Sequence, residues 1–148
     1  MQSLVPEICS CSAIRQASRH MTRLYDDALS SVGISLNQYT MLAKLDRFGP
    51  QILQNFAALL IMDRSTLGHL LRPLQARGLI TISLAAEDRR QRIVALTNHG
   101  SQVLGSARPL WAKAELRFED IFGQSNALGL RAMMRQITTV EFDAVRPG

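Results

Sequence analysis

Residues 63–96 read DRSTLGHLLRPLQARGLITISLAAEDRRQRIVAL, and the spacing of apolar side chains changes once along this stretch. Asp63 is placed to cap a helix by accepting from a first-turn backbone N–H. Leu67, Leu70, Leu71 and Leu74 then fall at i, i+3, i+4 and i+7, which gathers them on one face of that helix. Gly78 stands where a helix closes in the left-handed conformation that glycine adopts without a Cβ penalty. Beyond it the period shortens to two: Ile80, Ile82 and Leu84 alternate with Thr81 and Ser83, and a second β-prone run, Arg92 to Leu96, follows the charged Glu87-Asp88-Arg89-Arg90. The pattern predicts a helix followed at once by a two-stranded hairpin.

Upstream, Leu53 to Leu60 suits a short helix, and Ser35 can cap another that bears Leu36, Tyr39, Leu42 and Leu45 and stops at Gly49-Pro50. A long first helix is expected from about Val5 to Ser31, because apolar residues from Ile8 onward recur near a helical turn and no Pro or Gly interrupts them until Gly33. Downstream, Thr97 can cap a fifth helix ending near Gly123, and a sixth is expected from Ser125 to Val145. The expectation is a mainly α protein with a small β-hairpin: a six-helix, winged helix-turn-helix protomer forming one unit over 1–148. Its lobe is 33–100, flanked by helical segments 5–31 and 101–146. Those flanks carry more apolar side chains than a small core absorbs, so they are expected to pair with a second copy in a homodimer.

A chain of 148 residues suits a single domain, and with 47% hydrophobic and 20% charged residues it has ordinary globular composition. No apolar run approaches the ~18 residues of a membrane span, and the opening MQSLVPEICSCSAIRQ lacks a basic region followed by an apolar one, so no membrane association and a cytoplasmic location are expected. Cys9 and Cys11 are too close together to staple a fold. With no supported Ser-His-Asp arrangement, phosphate-cradling glycine loop or metal-spaced His/Glu pair, neither an enzyme nor a cofactor is expected. The formal charge of +5 and pI near 10.0 suit a polyanionic partner.

That partner is expected to be double-stranded DNA. On the helix after Asp63 the apolar stripe leaves Arg64, Ser65, Gly68, His69 and Arg72 facing away from the core, a surface of donors with one small residue and no carboxylate. Arginine, histidine and serine can donate to guanine edges or phosphates, and Gly68 lets the backbone come close. The hairpin tip, Asp88-Arg89-Arg90-Gln91-Arg92, places three arginines within four positions, where one can enter a narrow minor groove while Asp88 orients it.

Met62-Asp63-Arg64-Ser65-Thr66, then Leu74 with Arg77-Gly78-Leu79-Ile80, then Asp88-Arg89-Arg90 with Leu96-Thr97 and Gly100 resemble the DNA-binding lobe of the multiple antibiotic resistance regulator (MarR) family. The pattern D-x-R-x5-L-T-x2-G joins wing tip, strand and next helix cap at fixed spacing. The resemblance implies an obligate homodimer in which Ser65, Thr66, His69 and Arg72 read the major groove. It further implies that Arg90, supported by Asp88, enters the minor groove of a pseudo-palindromic site, commonly as a repressor released by a small aromatic or phenolic acid. Met21, Tyr25, Leu36, Met41 and Trp111 are the candidate walls for that ligand. Pro73 departs from the pattern: it removes a backbone bond to His69 and is expected to kink the helix.

Cys11 and Tyr25 on the first helix are similar to the thiol and one tyrosine of the family's organic-hydroperoxide-sensing branch, although Arg15 and Leu36 stand where that branch places other tyrosines. Arg15, one turn after Cys11, favours a thiolate, and Cys9 across a dimer or a small thiol can resolve a sulfenic acid. Alternatives are a sensor in which Cys9 and Cys11 hold a soft metal such as Cu(I), and a protein-interaction module that never touches DNA.

Overall fold

The structure, a computed structural model, describes residues 8–144. In chain order it forms α1 (Ser10–Leu29), α2 (Leu36–Phe48), β1 (Gln51–Ile52), α3 (Leu53–Leu60), α4 (Arg64–Ala76), β2 (Ile80–Leu84), β3 (Arg92–Leu96), α5 (Asn98–Phe122) and α6 (Gln124–Thr139). It is mainly helical with a small antiparallel sheet, as the sequence predicts. Among the described residues no helix is long and apolar enough to cross a membrane.

Local chemistry sets most of these boundaries. Ser35 Oγ accepts from the Gln38 amide at 3.2 Å while Gln38 Oε1 accepts from the Ser35 amide at 3.0 Å, a reciprocal box that starts α2. The Leu36 amide donates to Asp26 Oδ1 at 2.7 Å and so ties α2 to α1. Gly78 takes the left-handed conformation (φ 71°), and the Leu79 amide donates to Leu74 O at 3.0 Å, closing α4 and turning the chain into β2. Of the apolar stripe of α4, Leu67, Leu71 and Leu74 are inaccessible and pack in one cluster with Leu42, Phe56 and Val94, whereas Leu70 is half-buried at its edge.

The sheet has three strands in the order β1-β3-β2, not the two expected: Gln51 and Ile52 pair with Val94 and Ile93 before α3 begins. β2 and β3 run in register from Ile80 opposite Leu96 to Leu84 opposite Arg92. Two helix boundaries also differ from expectation. α1 starts at Ser10, with Cys9 extended, and yields at Ser30–Val32 to a 3-10 turn in which the Ser30 hydroxyl donates to Asp27 O at 2.7 Å; the expected start at Val5 lies outside the described residues. α6 ends at Thr139 instead of Val145, because the Thr138 and Thr139 hydroxyls turn back to Arg135 O and Gln136 O, each at 2.8 Å, and Val140 is extended.

The chain divides into two compact units, one up to Trp111 and one from Ala112. The first holds the core and the sheet. In the second, Arg131 Nη1 donates to Glu115 Oε1 at 2.8 Å while its Nη2 lies 3.2 Å from Glu119 Oε1, and Phe118 stacks on Phe122 at 5.2 Å.

Candidate nucleic-acid interface

The first unit builds a helix-turn-helix from α3 and α4. Asp63 caps α4: the Thr66 amide donates to its Oδ2 at 3.0 Å and the Thr66 hydroxyl to its Oδ1 at 2.5 Å. The Thr66 hydroxyl, and then the Thr66 amide, hold the Asp63 carboxyl below its usual range. Asp63 is the only acid between residues 63 and 76 and it faces its own helix, so the exposed side of α4 presents Arg64, Ser65, His69 and Arg72 without a competing carboxylate. Thr66 is exposed as well, with its hydroxyl proton turned to Asp63.

Gly68 and Gly100 owe their smallness to different causes. A Cβ on Gly68 meets nothing within 4 Å, so nothing inside the protomer requires glycine there. A Cβ on Gly100 would stand 2.0 Å from Leu79 O, so the start of α5 lies against the β2 approach only because that side chain is absent. Thr97 completes this join: its hydroxyl donates to Gly78 O at 2.6 Å and accepts from the Gly100 amide at 2.9 Å. Leu96, Thr97 and Gly100 therefore position the wing, and Arg77, which donates to Gly33 O at 2.7 Å, anchors the end of α4 to the link before α2. The sequence marked these residues as a pattern without showing what each one does.

With Pro73 inside it, α4 runs as one continuous helix from Arg64 to Ala76, and Pro73 O still accepts from the Arg77 amide at 3.1 Å. Arg64, Ser65, His69 and Arg72 thus share one helix.

The wing turns between Ala85 and Gln91, where the Ala85 amide donates to Gln91 O at 2.9 Å and the Gln91 amide to Asp88 O at 3.0 Å. Asp88 Oδ1 accepts from the Arg90 amide at 3.0 Å, while the Arg90 Nε lies at 3.9 Å. The carboxylate thus fixes the backbone of the tip more firmly than the guanidinium, whose side chain is 96% exposed. Arg89 and Arg92 are exposed beside it.

The other candidate residues separate into two groups. Cys9 and Cys11 are exposed at the start of α1 and, with Ser12, Arg15 and Arg19, line an open depression of about 310 Å³. Of the candidate ligand walls, Tyr25 and Met41 are buried, and Met21, Leu36 and Trp111 are half-buried. Trp111 stacks on Tyr39 at 5.6 Å, a pairing that periodicity alone did not single out.

A family model described as MarR family matches residues 34–91, from the end of the α1–α2 link to the wing tip. Over 91 residues the chain is 30% identical to the organic hydroperoxide resistance transcriptional regulator of Bacillus subtilis (strain 168), and the match spans 62% of each chain. The transcriptional repressor CouR, solved bound to a 23-mer DNA duplex, is similar at 25% identity with a TM-score of 0.79, covering 88% of this chain and 92% of CouR. BpsR of Bordetella bronchiseptica shares the fold, with a TM-score of 0.79 at 17% identity over 93% of this chain and 100% of its own.

Proposed function

From the match of residues 34–91 to the MarR family model, we propose that the chain is a member of that family, a DNA-binding transcription regulator and not an enzyme. It acts in the cytoplasm as a homodimeric repressor on a pseudo-palindromic operator. The observation that carries the DNA contact is the pairing, in one compact unit, of an α4 face with no free carboxylate and a wing tip whose Arg90 is almost wholly exposed. Ser65, Thr66, His69 and Arg72, with Arg64 and Gly68, face the major groove. Arg90, flanked by Arg89 and Arg92 and held by the Asp88 turn, enters the minor groove. The similar CouR, a transcriptional repressor solved on a DNA duplex, supports both the contact and its sign.

Dimerisation rests on segments 5–31 and 101–146. Leu116, Ile121, Leu128 and Met133 are large apolar side chains exposed along α5 and α6, which suits them to a second copy of the chain.

Of the two release routes, oxidation of Cys11 is the better supported, because Cys11 is exposed beside Arg15 and Arg19 whereas Tyr25 and Met41 of the aromatic-ligand route are core side chains. The Cys11 thiolate attacks an organic hydroperoxide, giving a sulfenic acid and the corresponding alcohol, and a second thiol converts the sulfenic acid to a disulfide with loss of water.

Selection from a random duplex pool, followed by mobility shifts at rising salt, tests the DNA contact. A selected palindrome whose affinity falls steeply with salt is expected; recovery of no sequence above background would overturn it. For the switch, cumene hydroperoxide should release wild-type protein from that duplex and leave Cys11→Ser bound. Equal responses of the two would remove the thiol from the mechanism.

A further inference from the structure

Ile61 is the one non-glycine residue among those described with a positive φ, at φ 54° and ψ 52°. It closes α3: its amide donates to Ala58 O at 3.2 Å and the next amide, of Met62, donates to Ala57 O at 2.9 Å. This closure places a left-handed residue one position past the helix, where glycine fits without strain and a β-branched side chain does not. The chain nevertheless carries isoleucine there, and its side chain is 69% exposed, so burial does not compensate the strain. Met62 beside it packs on the core, and Asp63, the cap of α4, follows.

An outward-facing apolar side chain held in a disfavoured backbone conformation, three residues before the first residue of α4, suggests a contact made outside the protomer. Its position, separated only by Met62 and the cap Asp63 from Arg64 and Ser65 on the donor face of α4, points to the partner. The apolar group that a duplex offers to the start of a recognition helix is the C5-methyl of thymine, which lies in the major groove.

We propose that Ile61 is a specificity-determining residue of the DNA interface, packing its side chain against a thymine methyl at the entry of α4 into the major groove. The inference rests on the DNA-binding function proposed above and adds an apolar contact to its polar ones. Strain in the free protein is retained because the same side chain contributes to the complex.

The test uses the full chain and the palindrome recovered by selection, synthesised with thymine or with uracil at each position in turn. Ile61→Gly should raise the melting temperature by about 3 °C as the strain is relieved and weaken binding to the thymine duplex about five- to tenfold. The slope of affinity against salt should not change, because no phosphate contact is lost. At one thymine the wild type should lose affinity on uracil replacement while Ile61→Gly loses none, and Ile61→Leu should recover most of the lost binding. Equal losses for wild type and Ile61→Gly at every replaced thymine, or an unchanged affinity of Ile61→Gly for the thymine duplex, would overturn the contact. Recovery of no duplex by the wild type would instead refute DNA binding itself.

Discussion

At the scale of single residues, the proposed DNA interface depends on which charges are already engaged. Arg90 makes only a long approach to Asp88, so it is available to a groove, whereas Arg131 bridges Glu115 and Glu119 and its removal would disturb the second unit. Arg47, exposed in the last turn of α2 and outside the segments proposed for dimerisation, is the better control. Arg90→Ala is expected to weaken operator binding at least tenfold, and Arg47→Ala less than twofold, in mobility shifts on one duplex; equal losses would dissociate the wing from the minor groove. Asp63 adds a pH dependence. Its carboxyl is held below its usual range chiefly by the Thr66 hydroxyl, and a group whose folded-state pKa is depressed stabilises the fold above its unfolded pKa, near 4, and loses that contribution as pH falls through the lower folded value. Asp63→Asn keeps a cap but does not titrate, so thermal unfolding followed from pH 6 to pH 2 should show a shallower acid-side decline in the variant than in the wild type.

At the scale of elements, α4 and the start of α5 respond oppositely to the same substitution. Gly100→Ala forces a Cβ to within 2.0 Å of Leu79 O, and the fold is expected to lose about 3 kcal/mol, read from denaturant midpoints. Gly68→Ala meets nothing within 4 Å and should gain close to 1 kcal/mol of helix propensity, while its added methyl hinders close approach to the duplex and lowers affinity. What the sequence made legible follows the same division. α2, α3 and α4 were readable nearly to the residue because capping and periodicity agree in Ser35, Asp63 and the leucines of 67–74. β1 was not, since two residues carry no alternation and Gln51–Ile52 exists only by pairing with β3. The end of α6 was missed because an apolar run conceals the competition of the Thr138 and Thr139 hydroxyls for the backbone. The exposure of Arg64, Ser65, His69 and Arg72 on one helix was legible in the spacing of the leucines. The strain at Ile61 was not, because a left-handed closure leaves no mark in periodicity when glycine is replaced.

At the scale of the whole molecule, the proposed homodimer would couple operator affinity to assembly. One lobe offers one recognition helix and one wing, and linking two lobes makes the second engagement intramolecular, which strengthens binding by roughly two to four powers of ten without any new contact. The side chains proposed to hold two copies together, Ile121 and Leu128, belong to the second unit, apart from the core that folds the lobe. Replacing both, as Ile121→Glu with Leu128→Glu, places like charges where two apolar surfaces would meet and leaves the cluster around Phe56, Leu67 and Leu71 untouched. Sedimentation equilibrium should then report a monomer, circular dichroism should retain the helical signal of the lobe, and affinity for the full palindrome should fall about a hundredfold, toward that of a single half-site. A variant that sediments as a monomer yet binds the full palindrome as tightly as the wild type would show that one protomer suffices and that the exposed faces of α5 and α6 serve another partner.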